Sequence, residues 1–452
     1  MKKSKQNKII IISCIICIII SLLFLINFNF QPTNKEIFLE DFNPPEEKTY
    51  QTTLFDTSYV HNINVEIAPE DWMELIRTPE DKTKYPANVT IDGEKIEHIS
   101  FSVKGGYTIT ATKKRMSNCF SFKLNFGKYE KGQNFYGLDK VHLNNCIMDP
   151  SHLRDYLSYD VMRQAGISAP LVSFVKLTVN GENFGLYVAV EDVDDSFLAR
   201  NHHDKDSIWY KPENPEMVIV KKDPQAVDSK NIQDAGENLL YIDNNLNSYL
   251  SIFNNSAGKP TDEDKQFVIE AIQALNTNEN VENYWNMDEI IRYFAANNLM
   301  LSMDSYIGEY AQNYYLLQEN DELSILPWDY DFSFGSFVLN DPRVPKEYSD
   351  IYHWDVDNPT FLCEEKDRPL WTVIKNNSAY LEKYHQEIQK LIENYFEKGI
   401  FEEKINALSK MIEPEIDSTP LALHRIDEYH RAIEQLKDFN EKRILAVKEQ
   451  LQ

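Results

Sequence analysis

The chain has 452 residues with 46 Lys+Arg against 72 Asp+Glu, a formal net charge of −26, and it is 42% hydrophobic and 12% aromatic. The acidity argues against nucleic acid as the main partner and against broad docking on anionic lipid, because both recruit Lys/Arg surfaces. The apolar content argues against disorder, and the length allows roughly two to three domain-sized units.

Lys2, Lys3, Lys5 and Lys8 make residues 1–8 a basic end. Residues 9–28, IIIISCIICIIISLLFLINF, then carry no charge over roughly 20 positions, the length of a bilayer-spanning helix. Lysines on the N-terminal side alone predict a single-pass anchor, with a cytoplasmic N-terminus and an extracytoplasmic acidic body. A cleaved signal peptide is the alternative, but LFLINFNF offers no small-residue cleavage pattern, so a retained anchor is expected. Residues 29–51, with Pro32, Pro44 and Pro45, read as a linker. Cys14 and Cys17 read as small anchor residues. Cys119, Cys146 and Cys363 have no zinc spacing and, being odd in number, give no disulfide framework; one bridge and three free thiols both stay open.

From Val60 the pattern becomes strand-like. HNINVEIA alternates, EDWMELIRT reads as a short helix, and ANVTIDGEKIEHISFSVKGG reads as a hairpin turning at Asp92-Gly93. In CFSFKLNFG, Phe120, Phe122, Leu124 and Phe126 share one face and Lys123 points to the other. Asp149 or Ser151 is placed to cap the helix LRDYLSYDVMRQAG, and Gly166 to end it. VSFVKLTVNGENFGLYVAVEDVD is a second hairpin, turning at Asn180-Gly181. Residues 195–265 are polar, acidic and Asn-rich and read as an insertion or loops. DEDKQFVIEAIQAL and MDEIIRYFAANNLMLSM have helical apolar spacing, two short strands flank Glu319-Asn320-Asp321, and helix returns from about residue 370. The expected fold class is α+β, with residues 52–194 as a sheet lobe and residues 266–452 as a helical lobe.

The densest chemical signal is PWDYDFSFG, in which Asp329 and Asp331 stand two apart among aromatics, before Gly335. At strand spacing both carboxylates face one way, and a divalent cation would explain them. A turn in which Asp caps backbone amides is the alternative, and the aromatic setting favours metal. Upstream, Asp304 follows an apolar helix end and Asn313 comes nine residues later. This order of Asp, Asn, strand pair and Asp matches a protein-kinase site in residue type, although H-R-D-x-x-x-x-N spaces its Asp and Asn by five. Lys104-Gly105-Gly106-Tyr107-Thr108 is a glycine turn whose amides can approach phosphate. Lys123 is placed either for phosphates or for solvent. Glu191, ending LYVAVE, either meets a nucleoside or marks the strand's exit.

SFKLNFGK, YGLDKVHLNNCIMDPSHLRDYLSYDVMRQAGISAP, VNGENFGLYVAVEDVDDSFL, NYYLL and ILPWDYDFSFG, in this order, resemble the CotH kinase family of spore-coat proteins, from about residue 60 to about residue 412. The resemblance implies an atypical, two-lobed protein-kinase-like fold that uses ATP and Mg²⁺ or Mn²⁺ to phosphorylate Ser/Thr of a coat or surface protein. It implies Asp304 as catalytic base, and Asp329, Asp331 and Asn313 as metal ligands. It places Lys104, Gly105 and Lys123 at the phosphates and Glu191 near the nucleoside. The helix HLRDYLSYDVM takes the regulatory position, with Arg154 or Asp155 facing the cleft. The turn departs from the family's R-G-N-S-S pattern, having lost the Asn-Ser pair. A non-catalytic coat-assembly or binding protein on the same fold is the alternative. No G-x-S-x-G, H-E-x-x-H or G-x-x-x-x-G-K-[ST] is present, so a hydrolase finds little support, though a carboxylate-pair glycosidase stays open on composition. The acidic surface suggests a basic coat or wall protein as acceptor.

Overall fold

The computed structural model describes residues 48–213, 236–340 and 351–452. The basic end, the apolar run 9–28 and most of the linker lie outside the described residues. Among the described residues, no helix is long and apolar enough to cross a membrane. Lys48–Gln452 form one compact unit, and Tyr50, at its start, is only 5% exposed.

The first half is a closed barrel. Its strands are β1 (His61–Ile67), β2 (Tyr85–Ile91), β3 (Glu94–Val103), β4 (Phe122–Asn125), β5 (Lys140–Asn144), β6 (Val172–Val179) and β7 (Glu182–Glu191), ordered β1-β2-β3-β4-β5-β7-β6. Alternation supplies the interior: Val65, Val89, Phe101, Phe122, Leu124 and Val175 are all buried in one apolar cluster. Both expected hairpin turns are present. Asp92 (φ 47°) and Gly93 (φ 89°) join β2 to β3, and Asn180 (φ 49°) and Gly181 (φ 84°) join β6 to β7. Two-residue turns of this kind need positive φ at both positions, which Asn, Asp and Gly tolerate best. A parallel pairing of β1 with β6 closes the barrel, which removes the open edges that would otherwise invite aggregation.

Two helices decorate the barrel, α1 (Pro69–Arg77) and α2 (Tyr107–Lys114), and α3 (Arg154–Gln164) joins it to the second half. Asp149 Oδ2 accepts from the Arg154 amide at 3.0 Å, so it satisfies the first free N–H of α3 as expected. Gly166, at φ 74°, follows the helix end. The short helix α4 (Asp195–Arg200) then leads into a four-stranded sheet ordered β11-β10-β8-β9, made of β8 (Ile208–Tyr210), β9 (Ser256–Ala257), β10 (Tyr314–Glu319) and β11 (Glu322–Pro327). The stretch 195–265 is therefore more than surface loops. Its described parts contribute two strands, and Tyr210, Tyr249 and Ile252 are fully buried. These few apolar side chains are diluted by Asn and Asp in the sequence, which hides the strand pattern.

Around this sheet pack α5 (Asp262–Thr277), α6 (Met287–Leu299), α7 (Pro369–Asn376), α8 (Ser378–Leu391), α9 (Ile400–Ile412) and α10 (Ile426–Gln450), sharing one large apolar core. Fully buried Arg443 of α10 donates to the carbonyls of Asn298, Tyr352 and Trp354 and so caps the C-terminal end of α6. The architecture is α+β. Cys119, Cys146 and Cys363 are free thiols, the first two buried.

Candidate active site

A cleft of about 370 Å³ runs between the barrel and the helical half. Lys104, Gly105 and Lys123 line its barrel side, and Asp304, Asn313, Asp329 and Asp331 its helical side. These seven sequence-expected residues come from positions as far apart as 104 and 331, and the fold brings them together.

On the helical side, β11 ends at Pro327, and Asp329 is not in a strand. Its φ of 57° lies in the left-handed region, which Asp tolerates better than most residues. Strand alternation therefore does not explain how the two carboxylates converge, and that expectation is corrected. They converge because the chain turns sharply here and α3 holds it. Asp155 Oδ1 accepts from the Tyr330 amide at 2.9 Å, and the Tyr159 hydroxyl oxygen from the Asp329 amide at 3.0 Å. Asp304 is held by two side-chain amides: Gln312 donates to Oδ1 at 2.8 Å, and Asn313 Nδ2 to Oδ2 at 3.1 Å and to the Asp304 carbonyl at 2.8 Å. The Asp304–Asn313 spacing of nine is thus compatible with direct contact.

On the barrel side, Lys123 Nζ donates to Asp192 Oδ2 at 2.6 Å, and the other oxygen of Asp192 lies 2.8 Å from His142 Nε2. Burial by itself would raise the Asp192 carboxyl. The His142 contact and the Lys123 and Lys140 ammonium groups outweigh it and hold the group below the usual carboxylate range. Lys104 Nζ donates to Asn144 Oδ1 at 2.5 Å, and Asn144 Nδ2 to Asp155 Oδ2 at 2.9 Å. Lys104, Asn144, Asp155 and the Tyr330 amide therefore form a continuous chain from the glycine turn through α3 to the paired aspartates. Of the two α3 candidates, Asp155 lines the cleft, whereas Arg154 is paired with Asp149 at 2.6 Å.

The glycine turn runs straight into α2. Gly105 has φ +99°, and a Cβ there would lie 2.1 Å from Thr108 Oγ1. Gly106 is the N-cap of α2 and offers no side-chain cap, and Thr108 Oγ1 is buried without a hydrogen-bond partner. A helix N-terminus, an unpaired hydroxyl and two lysines at one cleft wall are groups of the kind that can hold an anion.

The acids opposite repel one another. Burial, then the charge of Asp329, pushes Asp155 up to about 7. Burial, with Asp329 adding and the Gln312 and Asn313 amides opposing, pushes Asp304 up to about 7. Burial and the charges of Asp329, Asp155 and Asp304 push Asp331 well above the usual range. Such crowding is what a divalent cation relieves. Among the described residues, no three His, Cys, Asp or Glu side chains form a closed metal cage. Mg²⁺ and Mn²⁺ characteristically take one or two protein carboxylates and complete their shell with phosphate oxygens and water.

Glu191 does not join the cleft. It is fully buried at the end of β7, where its carboxylate accepts from the Tyr50 hydroxyl at 2.6 Å, the Leu171 amide at 2.9 Å and Arg200 Nη2 at 2.6 Å. Its oxygens are committed to those groups, so the expected nucleoside contact is corrected to a structural ion pair. The neighbouring Asp192 instead holds Lys123 at the cleft wall, and it is absent, with Asn144 and Lys211, from the site residues expected from sequence. Asp192 was detectable as the next acid in VAVED; Lys211 sits beside a polar stretch and gave no signal.

The chain matches the CotH kinase protein family model over residues 101–446, and it belongs to that family. It is 22% identical over 391 residues to inner spore coat protein H of Bacillus subtilis (strain 168), covering 85% of this chain and 96% of the relative. It is 23% identical over 291 residues to invasin CotH7 of Rhizopus delemar, covering 62% of this chain and 44% of that protein. Among solved structures it is similar to the Helicobacter pylori proinflammatory kinase CtkA, at 14% identity and TM-score 0.25, over 67% of this chain and 93% of that one.

Proposed function

We propose that the protein is a metal-dependent kinase that transfers the terminal phosphoryl group of ATP to a Ser/Thr hydroxyl of a protein. The observation that carries this reading is the convergence of Lys104 and Lys123 on one cleft wall with Asp304, Asn313, Asp329 and Asp331 on the other. In this reading the barrel is a nucleotide-binding lobe and the helical half a substrate lobe. The α2 N-terminus, Thr108, Lys104 and Lys123 grip the phosphates. Asp329, Asp331 and the Asn313 Oδ1 hold Mg²⁺ or Mn²⁺, which when bound supplies charge that offsets the phosphate oxygens. Asp304, its carboxyl oriented by Gln312 and Asn313, receives the acceptor hydroxyl proton. Asp192 orients Lys123, and Asp155 couples α3 to the aspartate turn. Catalysis then rests on positioning and electrostatics.

The relative that is an inner spore coat protein supports a coat or surface protein as acceptor and a coat location. The overall acidity supports a basic acceptor. Residues 9–28 support a membrane anchor that places the domain outside the cytoplasm. A second reading, a non-catalytic coat or surface binding protein, is favoured by the altered glycine turn and by the relative named as an invasin. Calorimetric titration of the full chain with ATP separates the two. Binding that requires Mg²⁺ or Mn²⁺ and is lost in Asp331→Ala is expected for the kinase. Absence of ATP binding in either metal overturns it.

A further inference from the structure

Lys211 follows β8, and its amide donates to the Asn255 carbonyl at 2.9 Å, which fixes the backbone beside the cleft. The side chain is partly buried and lines the cleft with Glu213 and Asp329. Its ammonium nitrogen lies 5.2 Å from the centroid of the Trp328 ring and 5.7 Å from that of Tyr315. Those rings meet edge to face, with centroids 5.5 Å apart and planes at 89°, and so form an aromatic corner around the cation.

Of the other cleft lysines, Lys123 is held by Asp192 and Lys104 by Asn144, and Lys82 and Lys84 come from the chain leading into β2. Among the described residues, the Lys211 ammonium has neither an ion pair nor a hydrogen bond. Burial disfavours its charged form, the charge of Lys104 adds to this, and those of Glu213, Asp329 and Asp192 oppose it. Its three N–H donors therefore have no protein acceptor among the described residues, while two aromatic faces stand beside it. Among the described cleft residues, Lys211 is also the single Lys or Arg contributed from beyond Asp192. It therefore stands on the side that holds Asp304 and the paired aspartates.

We propose that Lys211 binds the terminal phosphoryl group of the nucleotide and follows it during transfer, a role that rests on the kinase reading above. In the step itself the bond between the γ-phosphorus and the β–γ bridging oxygen breaks and ADP leaves. A bond forms between that phosphorus and the acceptor hydroxyl oxygen, whose proton goes to Asp304. Lys211 exchanges no proton and opposes the charge on the equatorial oxygens as they move toward the helical half. The aromatic corner flanks the ammonium and leaves its open side to the phosphoryl oxygens.

The test is the affinity of the full chain for ATP and for ADP, each with Mg²⁺, in wild type, Lys211→Met and Lys211→Arg. Lys211→Met is expected to weaken ATP on the order of 10- to 100-fold, the loss of a charge-assisted hydrogen bond, while ADP changes by less than about threefold. Lys211→Arg is expected to recover most of the preference for ATP. Scanning calorimetry of both variants checks folding, and Lys211→Gln replaces Lys211→Met if the latter does not fold. Equal weakening of ATP and ADP, or no weakening of either, overturns the assignment to the terminal group and leaves the kinase reading standing. A wild-type chain that binds neither nucleotide overturns both.

Discussion

Replacing Asp331 by Asn tests the physical state of the acid cluster. Asp331 makes no side-chain hydrogen bond among the described residues, so the amide removes charge without leaving a donor unpaired. In the metal-free protein its carboxyl is pushed well above the usual range by burial and by Asp329, Asp155 and Asp304. A carboxyl raised in the folded state holds its proton more tightly there than in the unfolded chain. It therefore supports stability at low pH and withdraws that support as pH rises from the unfolded value near 4 toward the folded one. Each pH unit over that span costs the wild type about 1.4 kcal/mol, so between pH 4 and pH 7 the penalty cannot exceed about 4 kcal/mol. Residual structure in the unfolded chain and water in the cleft reduce this to roughly 1–3 kcal/mol. In chelator, Asp331→Asn is then expected to be more stable than wild type by that amount at pH 7 and nearly equal to it at pH 4.5. The order should invert when Mg²⁺ and ATP are added, because only the wild type gains metal-linked stability. Urea denaturation at the two pH values, with and without Mg²⁺·ATP, measures both effects. A variant no more stable than wild type at pH 7 in chelator would refute the crowding argument.

Two other substitutions separate structure from function. Glu191→Ala leaves the largely covered Arg200 and the Tyr50 hydroxyl without their buried acceptor, and should cost about 3–5 kcal/mol in urea denaturation without changing the ATP affinity of the folded protein. Loss of ATP affinity without loss of stability would return Glu191 to the nucleotide. Gly105→Ala meets both a φ of +99° and Thr108 Oγ1, so a stability loss of about 1–3 kcal/mol and weaker ATP binding are expected together. Unchanged ATP affinity would remove the glycine turn from the phosphate site.

Local chemistry made much of this architecture legible. Asp92-Gly93 and Asn180-Gly181 announce hairpins because few other residue pairs adopt positive φ in succession, and alternation in CFSFKLNFG already placed Lys123 opposite the barrel interior. The parallel pairing of β1 with β6 was not legible, since it joins residues more than a hundred positions apart and leaves no local trace. The same limit explains Glu191. A strand-ending carboxylate looks the same whether it faces a ligand or a guanidinium, and only the fold brings Arg200 and Tyr50 to it. At Asp329 the two-residue spacing suggested a strand, but the left-handed backbone that produces the convergence is set by α3, through Asp155 and Tyr159. Lys211 was hidden because β8 is three residues long and borders a polar stretch.

The central claim, that this cleft transfers phosphate, is tested most directly by incubating the full chain with γ-labelled ATP, Mg²⁺ or Mn²⁺ and a Ser/Thr-containing protein acceptor, beside Asp304→Asn. The expected result is metal-dependent label on Ser or Thr, with the rate in Asp304→Asn lower by about 10²- to 10⁴-fold and ATP binding retained. Label transfer at an equal rate by Asp304→Asn, or no transfer by wild type to itself or to any coat protein offered, would contradict the account.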